Sequence, residues 1–254
     1  MTMVTSDKKR SSLSKGGRSY ARASAAKHGD GLLTAYQRVR NLIVDGRLSP
    51  GTWVVEADLA ARLGMSRTPI RGALQWLQRE GYLQEHRNVS KSRMVVAPLT
   101  QEDADELYAI VGALEGLAAR RTALLPRLER QEMAQKLSQL NDGLKAICRE
   151  QEVRGASLFD LDAAFHDTIV QAGAGSRLMA NYNAIKPQIE RYWRLYATSI
   201  TRELQESIDE HEAVIAGLQA GDADCTETAL RANWENGARR IQRTIELHGE
   251  RGTW

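Results

Sequence analysis

Two helical patterns meet at a glycine between Leu59 and Leu77. Apolar residues recur at three- and four-residue spacing on both sides of Gly64, which predicts two short amphipathic helices. Glycine tolerates the positive φ that ends a helix, while Ser66 and Pro69 are typical of the first turn of the next one. The apolar positions that we expect to be buried in the second helix are Ile70, Ala73, Leu74 and Leu77.

The polar side of the second helix carries side chains that can bind DNA. Ser66, Arg67, Thr68 and Arg71 lie at or near its N-terminus. In a helix-turn-helix this end enters the major groove, where arginine can bind guanine through two hydrogen bonds and threonine can reach a phosphate or a base edge. The alternative is an ordinary helical hairpin with a solvated arginine face, and the stretch alone does not separate the two interpretations.

The flanking segments favour the helix-turn-helix. A first helix is predicted over residues 32–45, and Pro50–Gly51 fits the centre of a type II turn. Residues 82–85 and 93–97 are predicted to form two short strands around a polar tip, which together make a wing. The positions of the first helix that we expect to face inward are Leu33, Tyr36, Val39, Leu42 and Ile43. The basic residues of the wing that we expect to contact phosphates are Lys91 and Arg93.

Beyond a hinge at Pro98–Thr100 the chain has helical spacing nearly throughout, with Thr100 as the expected cap of the first helix and a kink expected at Pro187. The helices are predicted at roughly 101–124, 126–149, 156–173, 175–199, 201–219 and 222–247. The chain is therefore predicted to be mostly α, with an N-terminal winged helix-turn-helix domain at residues 29–98 and a C-terminal antiparallel all-helical bundle at residues 99–254.

Charge is unevenly distributed around the overall value of +3. Residues 1–28 are basic with almost nothing to bury, so we expect a disordered tail. Residues 29–100 are also net basic and residues 101–254 net acidic, which suggests that only the front of the chain meets a polyanion. Two cysteines are too few for a disulfide framework, no apolar run is long enough to span a membrane, and a reducing cytoplasm is the expected compartment.

A second candidate site lies in the helical half. Asp162 and His166 are four residues apart, which places both side chains on one face of a helix, one turn apart, where they can share a ligand. His211 lies on the next helix but one. A histidine on a helix is more often a satisfied polar residue than a ligand, so this interpretation stays open beside a metal or ligand site.

Both halves resemble one family of bacterial transcription regulators. Ser66–Leu74, with its surroundings from about Leu33 to Pro98, resembles the winged helix-turn-helix domain of the GntR family. Phe159–His166, Glu210–Glu212 and Ala229–Asn233 resemble the FCD effector domain of FadR-type members. Six helices rather than seven would suit the VanR-type subgroup.

The resemblance implies a homodimer that binds a double-stranded inverted repeat and responds to a small-molecule effector. It also implies a divalent metal, such as zinc, nickel or manganese, held by one Asp and three His. Asp162, His166 and His211 match the first three positions, but Asn233 stands where the third His is expected, and an amide oxygen is a weaker ligand. Val111 is a further departure, because many relatives carry an Arg there that helps to hold a carboxylate.

We therefore interpret the chain as a ligand-responsive regulator, a repressor that a small metabolite, expected to be a carboxylate, releases from DNA. The residues assigned to effector binding are Asp162, His166, His211, Asn233, Arg194, Tyr192 and Trp234. Two alternatives belong to other classes. One is a metal-dependent hydrolase that uses Asp162, His166 and His211, and the other is an architectural DNA binder that senses nothing.

Overall fold

The computed structural model describes residues 17–88, 91–149, 155–200 and 204–253. Its elements in chain order are α1 Gly17–Val44, β1 Trp53–Val54, α2 Glu56–Leu63, α3 Arg67–Arg79, β2 Leu83–Asn88, β3 Lys91–Val96, α4 Gln101–Ala123, α5 Arg127–Arg149, α6 Gly155–Gly173, α7 Ser176–Ile200, α8 Leu204–Ala220 and α9 Ala223–His248. A mostly α chain with a small wing followed by a helical bundle is confirmed, and each predicted helix of the bundle lies within a few residues of its observed bounds.

The helix-turn-helix consists of α2 and α3. Gly64 caps α2 with φ 64°, the left-handed conformation that glycine adopts without strain. Ser66 is the N-cap of α3, as predicted, although its side chain makes no capping hydrogen bond. The predicted stripe of α3 is buried and packs against α1, which completes the core of this half.

Helix α1 differs from its prediction in two ways. It begins at Gly17, so residues 17–28, which we expected in a disordered tail, are helical here; alanine and arginine have high helix propensity and no proline interrupts this stretch. Residues 1–16 lie outside the described residues. Leu33, expected to face inward, is 48% exposed, whereas Val39 and Ile43 are buried.

The wing is a three-stranded antiparallel sheet with the order β1-β3-β2. The hairpin of β2 and β3 runs in register from the Leu83–Val96 pair to the Asn88–Lys91 pair, which confirms the two predicted strands. Strand β1 was not predicted because it has only two residues, and its pairing partner β3 is about forty residues away. The turn before it was predicted: Gly51 has φ 78° and the amide of Thr52 donates to Ser49 O at 3.0 Å.

Helix α4 lies at the centre of the bundle, in contact with α6, α7 and α9. Its N-terminus is capped by Thr100, whose hydroxyl accepts from the amide of Asp103 at 3.1 Å, as predicted. Two apolar clusters fill the bundle, one around Tyr192 and Leu158 and the other around Phe165 and Leu137. None of the helices in the described ranges combines the length and the apolar character needed to cross a bilayer.

Helix α7 joins the bundle to the N-terminal half that contains the helix-turn-helix and the wing. Arg191 is buried and its guanidinium donates to Ala97 O, just after β3, while Gln188 donates to Glu80 O, just after α3. The hydroxyl of Tyr192 accepts from the Thr100 amide and donates to Asp103 Oδ2 at 2.6 Å. The hinge is therefore held by α7 through direct hydrogen bonds.

The residues after α9 also reach the hinge. Leu99 and Arg251 form an isolated antiparallel bridge, with the Leu99 amide 2.8 Å from Arg251 O and the Arg251 amide 3.1 Å from Leu99 O. Gly252 lies so close to Pro50 and Gly51 that a Cβ there would be 2.5 Å from Pro50 C. This segment therefore packs against both halves of the chain.

Candidate functional site

The N-terminus of α3 presents the predicted DNA-binding residues to solvent. Ser66, Arg67, Thr68 and Arg71 are all exposed there, on the face opposite the buried stripe. The helical period separates the two sets, because Ile70, Ala73, Leu74 and Leu77 take every inward position. The structure thus brings these four residues together on one surface.

Arg71 is held by a carboxylate that the sequence reasoning did not assign to the surface. Its Nε is 2.9 Å from Glu56 Oε1 and its Nη2 is 2.9 Å from Glu56 Oε2. Glu56 is the first residue of α2, and its hydrogen bond with Arg71 lowers the pKa of the Glu56 carboxyl. The pair therefore fixes Arg71 relative to both helices of the helix-turn-helix.

The wing contributes Arg93, which is exposed and lies with its guanidinium 5.8 Å from the centre of the Trp53 ring. Lys91 is the first residue of β3, but its side chain lies outside the part of the structure that is described. Arg93 and the α3 surface belong to the same small domain. Their use in DNA binding remains a prediction.

The bundle contains a cavity of about 790 Å³, part of it open to solvent. It is bounded by five helices, α4, α6, α7, α8 and α9. The charged and polar residues of its wall are Tyr108, Glu115, Asp162, His166, Tyr182, Lys186, Glu190, Ser207, Asn233 and Arg240, and its apolar wall includes Val111, Phe159, Ile189, Trp193, Trp234 and Ile241.

Asp162, His166 and His211 come together beside this cavity. One potential ligand atom from each lies within 4.8 Å of the others. Asp162 and His166 project from one face of α6, as their spacing predicts, and His211 comes from α8. Burial raises the pKa of Asp162, since a charge there is poorly solvated, and Glu115 adds to the rise. The predicted cluster thus exists as a geometric group.

The hydrogen bonding of His211 leaves the lone pair of its Nε2 atom available to the cluster. Asn141 uses Nδ2 to donate to Ile208 O and to Glu212 Oε1, so its Oδ1 faces His211 Nδ1 at 3.1 Å and must accept from it. Nε2 is then the unprotonated nitrogen, and it has no hydrogen-bond partner among the described residues. Burial lowers the pKa of His211 well below its usual value, which keeps the imidazole neutral.

His166 is held by a carboxylate from α4. Its Nδ1 is 2.6 Å from Glu115 Oε2, and the same oxygen accepts from Trp234 Nε1 at 2.8 Å. Burial acts to lower the pKa of His166, but the charge and hydrogen bond of Glu115 raise it overall. Because Nδ1 donates to Glu115, Nε2 is the nitrogen left for a ligand.

Asn233 is buried in the same wall, but its amide group is engaged. Nδ2 donates to Glu210 Oε2 at 2.7 Å and is 3.3 Å from Ser207 Oγ. Glu210 is also paired in bidentate fashion with Arg240, at 3.0 and 3.1 Å. Only Oδ1 of Asn233 is left as a potential metal ligand, and its weak ligation remains a prediction.

Two residues assigned to the effector site lie elsewhere, which corrects the assignment. Tyr192 is fully buried against Thr100 and Asp103, and Arg194 is 3.8 Å from Asp45 in the DNA-binding half. The pocket face of α7 carries Tyr182, Lys186, Ile189 and Trp193, at helical spacing. Tyr192 and Arg194 are each one residue away from Trp193, a rotation of about 100° that turns them out of the cavity.

Trp234 does line the cavity, as predicted. The sequence pattern did not indicate five further residues at or beside the cavity, which are Glu115, Asn141, Tyr182, Lys186 and Arg240. Glu115 carried one available signal, a lone acid in a run of small and apolar residues at positions 109–119 of a helix. Such a position is expected to be buried, and a buried carboxylate needs a partner.

Comparison with known proteins agrees with this architecture. Residues 33–90 match the sequence profile of bacterial regulatory proteins of the gntR family, and residues 106–236 match that of the FCD domain. An HTH-type transcriptional regulator of Agrobacterium vitis, in the TAR-I ttuE-ttuC' intergenic region, is 31% identical over 140 residues, covering 55% of this chain and 79% of the relative. The gluconate operon transcriptional repressor of Bacillus licheniformis is 27% identical over 202 residues, 78% of this chain and 79% of that protein.

Among solved structures, E. coli McbR/YncC superposes with a TM-score of 0.64 at 20% identity, covering 84% of this chain and 97% of that chain. At this identity the likeness concerns the fold. Taken with the two profile matches, it shows that the chain belongs to the GntR family of bacterial transcription regulators and carries an FCD domain. The chain is thus a DNA-binding transcription regulator and not the hydrolase considered from its sequence.

Proposed function

We propose that this regulator is a ligand-responsive repressor, released from an inverted-repeat operator when a small metabolite and a divalent metal occupy the bundle cavity. The observation that carries the proposal is that two different faces of helix α7 contact the cavity and the DNA-binding half. One face lines the cavity, through residues such as Lys186 and Trp193. The other holds the DNA-binding half through Gln188 and Arg191.

The residues beside the cavity suit a divalent metal at three positions. Asp162 would bind through a carboxylate oxygen, and His166 and His211 through Nε2. The unpartnered, deprotonated Nε2 of His211 supports this assignment, as do the contacts of both Nδ1 atoms with Glu115 and Asn141, which orient the rings. A bound metal would supply a Lewis acid to which a carboxylate or hydroxyl of the metabolite can bind.

The metabolite would act through a difference in its affinity for two arrangements of the protein. A ligand shifts such an equilibrium only as far as it binds one arrangement more tightly than the other. A movement of α7 would change the contacts between the metabolite and the pocket face of this helix. The same movement would shift Arg191 and Gln188, and with them the N-terminal half to which they are hydrogen-bonded. The spacing of two DNA-binding domains would change, and with it operator affinity.

Recognition of an inverted repeat requires two copies of the helix-turn-helix. Helix α4 offers a surface for the second copy. Ile110 and Leu117 on α4 and Leu124, its C-cap, follow one another at intervals of seven residues and are 38%, 49% and 68% exposed. A heptad interval keeps them on one side of the helix. We propose that this row of exposed residues lies in a homodimer interface, and that the six-helix bundle is of the VanR type.

The test begins with an operator. Wild-type protein selects its preferred sequence from a pool of randomised duplexes, and fluorescence anisotropy measures the affinity for the selected duplex. Zinc and a panel of hydroxy acids, sugar acids and sugars, gluconate among them, are then added. At least one compound should weaken binding by tenfold or more. The printed name of the Bacillus repressor motivates the choice of gluconate.

His166→Ala should blunt this response, because it removes one residue from the wall of the cavity and from the metal cluster. His248→Ala, an exposed residue at the end of α9, is the matched control and should respond as wild type does. Thermal unfolding of both variants shows whether they are folded. An operator affinity that no compound changes, in folded protein with or without zinc, would favour the architectural DNA binder instead.

A further inference from the structure

One buried carboxylate oxygen in the cavity wall has no hydrogen-bond donor among the described residues. Glu115 is fully buried, and its Oε2 receives both N–H groups that reach it, from His166 and Trp234. An indole N–H can only donate, so Oε2 is an acceptor. Oε1 of the same carboxylate makes no hydrogen bond with any described residue. Leaving a buried acceptor without a donor costs free energy, so the position of Oε1 needs an explanation.

The neighbours of Glu115 do not supply the missing donor. Burial raises the pKa of the Tyr182 hydroxyl, and the charge of Glu115 and a hydrogen-bonding contact with it add to the rise. That hydroxyl carries a single proton, however, which it donates to Asp167 Oδ1 at 2.9 Å. Val111, one turn earlier on α4 and also in the cavity wall, has no polar atom in its side chain. While Tyr182 donates to Asp167, none of the described neighbours donates to Oε1.

The cations of the described wall are already paired with carboxylates. Lys186 is 2.5 Å from Asp167 Oδ2, and Arg240 pairs with Glu210. His166 pairs with Glu115 itself. Asp162 and Glu190 contribute further carboxyl groups to the same wall. A ligand whose only polar group is a carboxylate would meet no protein cation without a partner in the described wall.

We propose that Glu115 determines effector specificity by accepting a hydrogen bond from a hydroxyl or ammonium group of the ligand at Oε1. This inference rests on the proposed function, since it describes the ligand of the same cavity. It narrows the effector class from carboxylates in general to molecules that carry a donor, such as hydroxy acids, sugar acids, polyols or amino acids. A simple carboxylate lacks the group that Oε1 requires.

Four six-carbon probes separate the possible sources of recognition. Gluconate carries a carboxylate and hydroxyls, glucitol hydroxyls alone, 6-aminohexanoate a carboxylate and an ammonium group, and hexanoate a carboxylate alone. Calorimetric titration of the full-length protein, with and without zinc, gives the affinity for each. We expect at least one donor-bearing probe to bind about 10- to 100-fold more tightly than hexanoate, because the ligand replaces a missing bond to a buried charged acceptor.

Glu115→Gln changes the acceptor into an amide that can turn a donor toward the ligand. It should remove most of the preference over hexanoate, by tenfold or more. Glu132→Gln, an exposed position on α5, is the matched control and should keep it. Val111→Arg places a guanidinium four residues before Glu115 on the same helix face and should shift the preference toward hexanoate.

The comparison of probes on wild-type protein needs no variant, so a failure of Glu115→Gln to fold leaves the test intact. Hexanoate binding as tightly as every donor-bearing probe would overturn the inference, and so would a lack of binding by all donor-bearing probes. Operator release by hexanoate alone would overturn the inference while the proposed ligand-responsive function stands. An operator affinity insensitive to all ligands would remove the function itself.

Discussion

Arg71 and Glu56 allow the DNA surface to be tested with two substitutions that act differently. The guanidinium uses Nε and Nη2 for Glu56, at 2.9 to 3.2 Å. A guanidinium carries five N–H donors in one plane, so the edge formed by Nη1 and the second hydrogen of Nη2 remains for a base. That edge matches the two acceptors of guanine in the major groove. We therefore expect Glu56 to position Arg71 for base recognition.

Arg71→Ala removes the base contact itself. A good bidentate pair discriminates against the wrong base by an amount that corresponds to roughly 5- to 150-fold in affinity. Affinity for the selected duplex should fall by such a factor. Affinity for a scrambled duplex should fall only slightly, because one positive charge is lost. This fall should be larger at low salt.

Glu56→Gln leaves the contact between Arg71 and the base possible but removes the carboxylate that holds the Arg71 side chain in place. Ordering one long side chain on binding costs an amount equivalent to about 2- to 10-fold in affinity, so the selected duplex should bind that much less tightly. Removing a carboxylate near the phosphates should strengthen binding of the scrambled duplex, chiefly at low salt. The two duplexes should therefore respond in opposite directions.

Anisotropy titrations with both duplexes at two salt concentrations measure these changes. Arg79→Ala, at the other end of α3, is the matched control for Arg71 and should keep the sequence preference. Unchanged preference in Arg71→Ala would refute the assignment of α3 as the recognition helix. Equal strengthening of both duplexes in Glu56→Gln would show that Glu56 only repels phosphates.

Three further predictions concern the bundle. Asn141→Ala should weaken zinc binding, measured by calorimetry, by about 10- to 100-fold, because Nδ1 of His211 loses the acceptor that orients the ring. Equal zinc affinity in the variant and the wild type would show that Asn141 does not orient His211 for the metal. Asn233→His should raise zinc affinity by supplying a stronger ligand, and equal affinities would show that the residue lies outside the metal sphere. Leu117→Asp should convert the proposed dimer to a monomer in light scattering of the full chain, since it places a charge in the exposed apolar row, and a dimer of unchanged mass would place the interface elsewhere.

The helices could be predicted because their ends carry local signals. Gly64, Thr100 and Gly221 mark boundaries through backbone conformation or capping, which depend on only a few neighbouring residues. Asp162 and His166 could be paired for the same reason, since their relation is set by one helical turn. These features required no knowledge of how the helices pack together.

The partners that complete the cluster could not be predicted in this way. Glu115 is 51 residues from His166, and Asn141 is 70 residues from His211, so their meeting depends on how α4, α5, α6 and α8 pack. The positions of Tyr192 and Arg194 could not be predicted either, although here the uncertainty concerned a single helix. An aromatic and basic stretch suggested a pocket, but a rotation of one residue along α7 decides which side chain enters it.

The bridge between Leu99 and Arg251 has a consequence for the genetics of this regulator. A proline at position 251 would remove the amide that donates to Leu99 O, while sparing the helix-turn-helix and every residue of the predicted metal cluster. If the protein is the proposed repressor, we expect such alleles among mutants that still silence their target genes but are no longer induced.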